Sequence, residues 1–311
     1  MAKIFVTGGA GYIGSHTVLA LINAGHEVVV YDNLSNSSLA NLNKVEEITG
    51  KKIKFIKGDI LNSSELDSAL KEGFDGAIHF AALKSVVESH SKPIWYYENN
   101  VAGSINLFKA LIKNNVKNVI FSSSASVYGQ PEKLPVDESE SLKPMSVYAR
   151  TKAMIENILE DSVEEGLNSI RLRYFNVAGA DPSGLLGEDP MAMGNLIPRI
   201  FMSLIGKYKL TIYGNQFPTR DGYLIRDYIH VSDLADAHVK AIEYLLQNPG
   251  SKAINLGTNS GTSVLEIINE IEKVTGKKVE REIIEPQPGE NIEIYANASL
   301  AENLLGWKAK Y

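Results

Sequence analysis

The chain has 311 residues and an ordinary apolar content of 44%, which suit one large domain with a smaller dependent lobe. A net charge of −6 without a block of basic residues argues against nucleic acid and membrane surfaces as partners. The absence of cysteine excludes disulfides, thiolate metal sites and a cysteine nucleophile, and no apolar run nears the ~18 residues of a membrane span. The first predicted strand starts at residue 3, which leaves no room for a signal peptide and makes the cytoplasm the expected compartment.

The first predicted element is a buried strand that runs directly into a glycine-rich turn. Ile4-Phe5-Val6-Thr7 is followed by Gly8-Gly9-Ala10-Gly11-Tyr12-Ile13-Gly14, and a helix is predicted near Gly11–Ala24. The spacing of the glycines lets the backbone approach a pyrophosphate closely, while the free N–H groups of the new helix face the anion. The turn therefore predicts a dinucleotide cradle, with a purely structural glycine turn as the alternative.

A second strand, Glu27–Tyr31, ends in the acidic residue Asp32, 21 residues after Gly11. A carboxylate at this position accepts hydrogen bonds from the hydroxyls of the adenosine ribose and repels a 2′-phosphate. The sequence therefore favours NAD over NADP.

Short apolar runs and amphipathic stretches continue to alternate up to residue 176, which is typical of a parallel sheet covered on both faces. The further predicted strands are Ile53–Lys57, Gly76–Phe80, Val119–Ser122 and Ser169–Tyr174. The further predicted helices are 63–72, Asn99–Asn115 and Val147–Gly166. Six strands with intervening helices predict an α/β fold with a doubly wound, Rossmann-type parallel sheet.

Polar residues follow several of these strands, at the edge of the sheet where ligands of such folds bind. They are Asp59, the run Ala81-Ala82-Leu83-Lys84, the run Ser122-Ser123-Ser124, and Asn176. One crevice is expected to collect them. The competing explanation is that serine and asparagine are common at strand ends and in turns.

Beyond residue 176 the pattern changes to a loop-rich stretch, Gly179–Asn195, and then to shorter elements. These are a helix near Leu196–Ile205, a strand Lys209–Tyr213, a helix Ser232–Leu246, a strand Ala253–Leu256, a helix opened by the capping box Ser263-x-x-Glu266, and a strand near Val279–Ile284. We therefore expect an NAD-binding domain over residues 1–176 and a smaller α/β substrate lobe over residues 177–311.

Tyr148 and Lys152 lie four residues apart at the start of a predicted helix, on one face. A phenol titrates near ~10 and is a poor base at neutral pH, but a neighbouring ammonium lowers its pKa. Tyr148 is then able to take a proton from a substrate hydroxyl while hydride leaves the same carbon, with Ser124 holding that hydroxyl. Such a pair alone is usually surface packing. None of the six histidines has metal-ligand spacing, and no metal site is predicted.

Together these motifs resemble the extended short-chain dehydrogenase/reductases, and among them enzymes that epimerise UDP-hexoses at C4. The residues that carry the resemblance are Thr7-Gly8-Gly9-Ala10-Gly11-Tyr12-Ile13-Gly14-Ser15-His16, Tyr31-Asp32-Asn33-Leu34, His79-Phe80-Ala81-Ala82-Leu83-Lys84, Tyr96-Tyr97-Glu98-Asn99-Asn100-Val101, Ser122-Ser123-Ser124-Ala125-Ser126-Val127-Tyr128-Gly129, Arg173-Tyr174-Phe175-Asn176, Gly187-Glu188-Asp189-Pro190 and Ile225-Arg226-Asp227-Tyr228-Ile229-His230-Val231. They span nearly the whole chain.

The resemblance implies a redox-neutral reaction in which retained NAD oxidises C4 of the sugar to a ketone and then reduces it from the opposite face. UDP-galactose and UDP-glucose are thereby interconverted. The implied catalytic residues are Tyr148, Lys152 and Ser124. The implied NAD contacts are Gly8, Gly11, Tyr12, Ile13, Gly14, Asp32, Asn33, Asp59, Ile60, Phe80, Ala81, Ala82, Lys84, Asn99, Ser124, Tyr148, Lys152 and Phe175. The implied substrate contacts are Lys84, Ser124, Tyr148, Asn176, Asn195, Leu196, Tyr213, Arg226 and Glu290. A homodimer built on the two helices Asn99–Asn115 and Val147–Gly166 is also implied.

Three positions depart from the family pattern. Gln287 stands where the family usually carries an arginine, which removes one charge contact to the diphosphate. Ile294 stands where relatives carry tyrosine or a smaller residue, and where side-chain size decides whether N-acetylated hexoses fit. The family also carries a C-terminal helix that has no counterpart after Trp307.

Three other functions stay open at this point. An epimerase for UDP-N-acetylhexosamines or UDP-pentoses shares every motif. A sugar-nucleotide 4,6-dehydratase needs an acid and a base just after Ser124, where this chain has Ala125 and Ser126. A non-catalytic NAD-sensing protein needs the glycine turn but not Ser124, Tyr148 and Lys152 together.

Overall fold

The structure is a computed structural model that describes residues 1–189, 194–286 and 291–311. Its strands are β1 Lys3–Thr7, β2 Glu27–Asp32, β3 Lys54–Lys57, β4 Gly76–His79, β5 Asn118–Ser122, β6 Asn168–Tyr174, β7 Asn176–Ala178, β8 Leu210–Tyr213, β9 Ile225–Arg226, β10 Tyr228–His230, β11 Ser251–Leu256, β12 Thr262–Ser263, β13 Arg281–Ile284 and β14 Glu293–Ile294. Its α-helices are α1 Tyr12–Asn23, α2 Leu39–Thr49, α3 Ser63–Leu70, α4 Val86–Ser91, α5 Pro93–Tyr96, α6 Gly103–Lys113, α7 Val147–Asp161, α8 Leu196–Leu204, α9 Val231–Gln247, α10 Val264–Thr275 and α11 Ser299–Leu305. A π-helical turn, Tyr97–Ala102, joins α5 to α6, and 3₁₀ turns cover Ala125–Tyr128 and Ser162–Glu165.

The central layer is a parallel sheet of seven strands in the order β11-β6-β5-β4-β1-β2-β3. The inner strands β1, β4 and β5 are mostly apolar and buried because helices cover both faces, whereas β3 at one edge begins and ends in an exposed lysine. Ile4 and Val6 of β1 point into one apolar cluster and Phe5 into the other, as the two-residue period of a strand requires. The chain leaves β1 toward β2 in one direction and reaches β4 in the other, so a switch point lies beside the glycine turn.

The doubly wound parallel sheet is confirmed, but it has one strand more than the six predicted. The seventh is β11, which pairs with β6 in register from Ser251 opposite Ser169 to Leu256 opposite Tyr174. This strand follows residue 176, and α9 packs against α1 of the same layer. The sheet therefore extends past residue 176, and the division of the chain there stays a prediction about binding roles.

Helix α2 has no counterpart among the predicted elements. Only Leu42 and Val45 of its residues are buried, so its sequence shows a weak apolar period. The Ser38 side chain caps its start and Gly50 ends it in the left-handed region. These local signals, rather than the apolar pattern, mark the helix.

The smaller lobe contains short paired strands with α8 and α10 beside them. Strand β8 pairs with β13, and β9 lies between β12 and β14. A separate apolar cluster that includes Ile200, Leu210 and Ile268 holds this part together. No helix in the described ranges is long and apolar enough to cross a membrane.

Candidate active site

A cleft runs along the carboxyl ends of the strands on both sides of the switch point. Among the residues that line it are nearly all of the predicted cofactor and catalytic residues, namely Gly8, Gly11, Tyr12, Ile13, Gly14, Asp32, Asn33, Ile60, Phe80, Ala81, Ala82, Lys84, Asn99, Ser124, Tyr148, Lys152 and Phe175. Asn176 and Asn195, predicted to bind substrate, line it too. One crevice thus collects the polar strand ends.

The glycine turn leaves no room for a side chain at Gly8 or Gly14. A Cβ on Gly14 would lie 2.3 Å from the carbonyl oxygen of Gly8, and one on Gly8 would lie 2.6 Å from the amide nitrogen of Ala81. Gly8 also has a φ of +71°, which disfavours any other residue. The backbone of β1, the start of α1 and the end of β4 therefore meet closely enough to bring bare amides to an anion.

Asp32 is fixed at the end of β2 by hydrogen bonds to both carboxylate oxygens. The amide of Ala10 donates to Oδ2 at 3.1 Å, while the amide of Leu34 and the hydroxyl of Ser37 donate to Oδ1 at 2.8 and 2.9 Å. The carboxylate is thereby held against the glycine turn. It has the position and the charge to accept from ribose hydroxyls and to repel a phosphate.

Asp59, a predicted NAD contact, does not line the cleft but supports a residue that does. Its Oδ2 accepts from the side-chain amide of Asn33 at 2.9 Å, and its Oδ1 accepts from the amide of Leu61 at 2.8 Å. Asp59 thus orients Asn33 next to Asp32.

Tyr148 lies in the first turn of α7, which begins where the Ser146 hydroxyl accepts from the amide of Ala149 at 3.0 Å. Ser124 faces Tyr148 from the end of β5 and opens a 3₁₀ turn, where its Oγ accepts from the hydroxyl of Ser126 at 2.9 Å. Two hydroxyls, from α7 and from β5, therefore converge at one point of the cleft.

Lys152 is one turn further along α7 and is buried. Its Nζ donates to the carbonyl oxygen of Ser122 at 2.7 Å and lies 5.8 Å from the centre of the Tyr148 ring. Burial lowers the pKa of Lys152 to about 7, and the Glu156 carboxylate acts in the opposite direction. The ammonium is therefore only partly populated at neutral pH.

The sequence predicted that Lys152 lowers the pKa of Tyr148, and the structure shows a different balance. Burial raises the pKa of Tyr148 to about 12, while its hydrogen bond with Ser124 acts to lower it. The desolvation of the phenolate dominates, because the nearest ammonium is directed at the backbone of β5 rather than at the phenol oxygen. The protein's own groups therefore keep Tyr148 protonated.

Several cleft residues have no counterpart among the predicted site residues. Ser35, Asn36 and Ser37 border the cleft beside Asp32, and Tyr174 borders it beside Tyr148. The Tyr174 hydroxyl lies 2.5 Å from the hydroxyl of Ser122. A polar run after a strand that ends in an acidic residue was the available signal for the first three. Tyr174 is the last residue of β6, and the pattern of that strand gave no such signal.

On the opposite wall, the side-chain amide of Asn195 donates to Glu188 at 2.6 Å. Burial raises the pKa of Glu188, while the charge of Lys84 acts to lower it. Glu188 is a further residue that the sequence analysis did not assign to the site.

Three further predicted substrate contacts, Leu196, Tyr213 and Arg226, do not line the cleft. Leu196 begins α8, Tyr213 ends β8, and Arg226 lies in β9, where its Nη1 donates to the carbonyl oxygen of Ile225 at 2.9 Å. Ile294 is buried in an apolar cluster that Phe175 packs against. Glu290, like Gln287, lies outside the described residues. Within the described ranges no group of three acidic or histidine side chains is placed to hold a metal ion.

Residues 4–257 match the model of the NAD dependent epimerase/dehydratase family. The chain is 47% identical to UDP-glucose 4-epimerase of Bacillus subtilis (strain 168), over 99% of this chain and 92% of the relative. It is 46% identical to the bifunctional UDP-glucose 4-epimerase and UDP-xylose 4-epimerase 1 of Pisum sativum, over 99% of this chain and 91% of the relative.

The fold is similar to the crystal structure of UDP-glucose-4-epimerase from Stenotrophomonas maltophila with bound NAD and formylated UDP-arabinopyranose. The TM-score is 0.97 at 41% identity, and the match covers 100% of this chain and 94% of the other. Family resemblance and fold therefore extend over both parts of the molecule.

Proposed function

The chain belongs to the NAD dependent epimerase/dehydratase family, and from this premise we propose that it interconverts UDP-galactose and UDP-glucose by epimerisation at C4 with a retained NAD. The observation that carries the proposal is the convergence of Ser124, Tyr148 and Lys152 on the cleft that begins at the glycine turn. A non-catalytic NAD sensor has no use for that convergence.

The residues present fit NAD. The bare amides of the glycine turn would hold the pyrophosphate, Asp32 and Asn33 the adenosine ribose, and Lys152 the nicotinamide ribose. When bound, NAD supplies an acceptor for hydride from C4 and returns it.

The protein's part in the reaction is the movement of one proton and the retention of the nucleotide. Tyr148 would remove the proton from the 4-hydroxyl while Ser124 holds that oxygen, and would return the proton when C4 is reduced. The pKa of about 12 shows that this base needs a further positive charge beside it. An oxidised nicotinamide ring would provide that charge, in addition to the ammonium of Lys152 that is already present.

Asn176, Asn195, Leu196, Tyr213 and Arg226 would hold the UDP portion. An arginine suits a diphosphate because its planar guanidinium meets two oxygens at once. Most of these side chains are polar, so the polar contacts would be made mainly with the nucleotide. The sugar needs looser contacts, since it must present both faces of C4.

A second activity, on UDP-pentoses, is favoured by two relatives. The pea protein is named as a UDP-xylose 4-epimerase as well, and the Stenotrophomonas structure holds a formylated UDP-arabinopyranose. Removal of C6 leaves C4 and its hydroxyl unchanged, so the same residues serve both sugars. A dehydratase gains no support, because Ala125 and Ser126 offer neither acid nor base.

The test is incubation of the purified protein with UDP-galactose, followed by NMR without added NAD. Formation of UDP-glucose is expected. No conversion, even after NAD is supplied, would contradict the proposal. Parallel samples with UDP-xylose and UDP-N-acetylgalactosamine report on the second activity and on the pocket near Ile294.

We also propose a homodimer formed through α7, which is one of the two helices predicted for it, and through α5, which precedes the other predicted helix, Asn99–Asn115. Large apolar side chains are exposed there on α4, α5 and α7, namely Val87, Ile94, Trp95 and Met154. Sedimentation velocity should give the mass of a dimer, and Ile94→Glu should give a monomer. A wild-type monomer would contradict this assembly.

A cytoplasmic location stays part of the proposal, since the chain has no cysteine to stabilise it outside the cell.

A further inference from the structure

Glu156 lies two turns beyond Tyr148 on the same face of α7, with Lys152 between them. It is only 1% exposed, and an acidic side chain is rarely buried to this extent without a specific partner. The three ionisable groups Tyr148, Lys152 and Glu156 therefore form a line from the cleft into the core of the protein.

The carboxylate of Glu156 is held by β6. The Nε of Arg173 lies 3.0 Å from each of its oxygens, and Nη2 of the same guanidinium donates to Oε2. Arg173 also donates to the hydroxyl of Tyr128 at 2.9 Å. A buried pair with this many hydrogen bonds has a fixed geometry.

Glu156 also contacts the end of β5, which leads to Ser124. The Ser123 hydroxyl donates to its Oε1, while the neighbouring Ser122 carbonyl oxygen accepts from Lys152. Ser124 follows directly. Ser122, the last residue of β5, and Ser123 after it are thus attached to two consecutive turns of α7 beside the site of proton transfer.

We propose that Glu156 is a positioning residue for the reaction, which sustains the ammonium form of Lys152 and clamps the end of β5 against α7. The inference rests on the proposed function only in that Lys152 serves the catalytic tyrosine. The electrostatic part concerns the protein alone.

The charged groups around Lys152 leave Glu156 as the one that favours its protonation. The titratable groups facing this part of α7 are His79 on β4, Arg171, Arg173 and Tyr174 on β6, Tyr128 and Glu138 beside Arg173, and Glu88 on α4 with its partner Lys92 just after that helix. Burial lowers the pKa of His79 to about 3, so it stays neutral. Burial raises the pKa of Tyr174, so it stays neutral as well.

A negative charge near a lysine raises its pKa, so removal of the Glu156 charge lowers the pKa of Lys152. The unopposed guanidinium of Arg173 acts in the same direction. An activity that needs the ammonium is lost as pH rises through that pKa, so its alkaline limb moves to lower pH in Glu156→Gln.

The experiment measures the pKa of Lys152 by NMR of the protein labelled at lysine Cε, with Lys152→Arg to assign the signal. The pKa should fall by about one unit in Glu156→Gln, as for loss of one nearby charge. Glu160→Gln is the matched control, since Glu160 lies one turn further along α7, pairs with Arg171 at 3.1 Å and is exposed. It should leave the pKa unchanged.

The pH profile of epimerisation is measured on the same variants. Glu156→Asp keeps the charge and should keep the alkaline limb, whereas Ser123→Ala should lower kcat without moving the limb. If Glu156→Gln fails to fold, Glu156→Asp and Ser123→Ala decide whether Glu156 acts through its charge or through its contact with the end of β5. An unchanged Lys152 pKa in folded Glu156→Gln would overturn the proposal. So would a shift of the alkaline limb in Ser123→Ala as large as the largest shift among the other variants. A wild-type protein without epimerase activity would refute the proposed function and leave the NMR result standing.

Discussion

The wall of the cleft that carries the glycine turn and the wall that carries the predicted UDP contacts differ in how their side chains are fixed. On the first wall, the amide of Gly8 donates to Tyr31 at 2.9 Å and Asp32 accepts three hydrogen bonds. Of the predicted UDP contacts on the second, Asn176 and Asn195 line the cleft, while Tyr213 and Arg226 lie outside its lining on strands of four and two residues. A cradle built from the backbone of a large sheet is formed before any ligand arrives.

This difference matches what the proposed reaction asks of each wall. A cofactor that is retained through many turnovers needs a site with little left to organise, because ordering of side chains weakens binding. A substrate that must enter, turn its sugar and leave needs polar anchors on separate short elements. We therefore expect substitutions on the first wall to affect folding and cofactor together, and those on the second to affect substrate affinity alone.

The largest effect is expected at Tyr148, which would contact the hydroxyl on the reacting carbon. Tyr148→Phe removes the base and should lower kcat about 10²- to 10⁴-fold, the usual contribution of a positioned general base. NAD content should stay close to that of the wild type, because the glycine turn is unchanged. Stopped assays by NMR would measure kcat, and the absorbance of the released cofactor would measure the NAD content. Retained activity would refute the assignment of Tyr148.

Gly8→Ala tests the cradle itself, with Gly50→Ala as a matched control. Both glycines have a φ near +70°, so both substitutions carry the left-handed strain of about 1–2 kcal/mol. Only at Gly8 does the new Cβ also meet the amide of Ala81, at 2.6 Å, whereas nothing lies within 4 Å of Gly50. Denaturant unfolding and NAD content should both fall further in Gly8→Ala. Equal losses in the two variants would show that the close approach is unimportant.

Arg226→Ala tests the second wall. Loss of a charged hydrogen-bonding partner of the diphosphate should weaken UDP binding about 10- to 100-fold, measured by calorimetry, with NAD content unchanged. Arg220→Ala is the control, because Arg220 lies in the same lobe but pairs with Glu266 on the surface. If both arginines behave alike, Arg226 is no diphosphate anchor.

Gln287→Arg should have the smallest effect and the opposite sign. It restores the arginine that the family usually carries and should tighten UDP binding up to ~fivefold, in the range of a single solvated ion pair. The gain should shrink at high salt. An affinity that stays the same at low salt would show that this position does not reach the diphosphate.

The two walls also differ in how well they could be predicted from sequence. Strand β1, the three glycines of the turn and Asp32 all lie within the first 32 residues, and their local geometry determines the cradle. Tyr148 and Lys152 are four residues apart on one helix, so their shared face was predictable too. The strand Ala253–Leu256 was predicted among the elements of the smaller lobe, whereas Ser251–Leu256 pairs with β6 of the central sheet, because that pairing depends on contacts far apart in sequence.

Electrostatic balance was beyond a reading of the sequence. A tyrosine and a lysine four residues apart suggest a lowered phenol pKa, but the burial of both groups and the direction of the Lys152 side chain reverse the outcome for Tyr148. Glu156 was not singled out and Arg173 was quoted only within a family motif, because their pairing joins a helix to a strand 17 residues on. Leu196, Tyr213 and Arg226 were named from family resemblance alone.

In the proposed reaction, Tyr148 moves only the hydroxyl proton, while the hydrogen on C4 leaves and returns without exchange with water. The direct measurement is conversion of UDP-galactose deuterated at C4, in ordinary water and without added NAD, followed by NMR of the UDP-glucose formed. The deuterium should be retained at C4 of the product. Its replacement by hydrogen from water would mean that the carbon is deprotonated by a base, and would refute hydride transfer at C4.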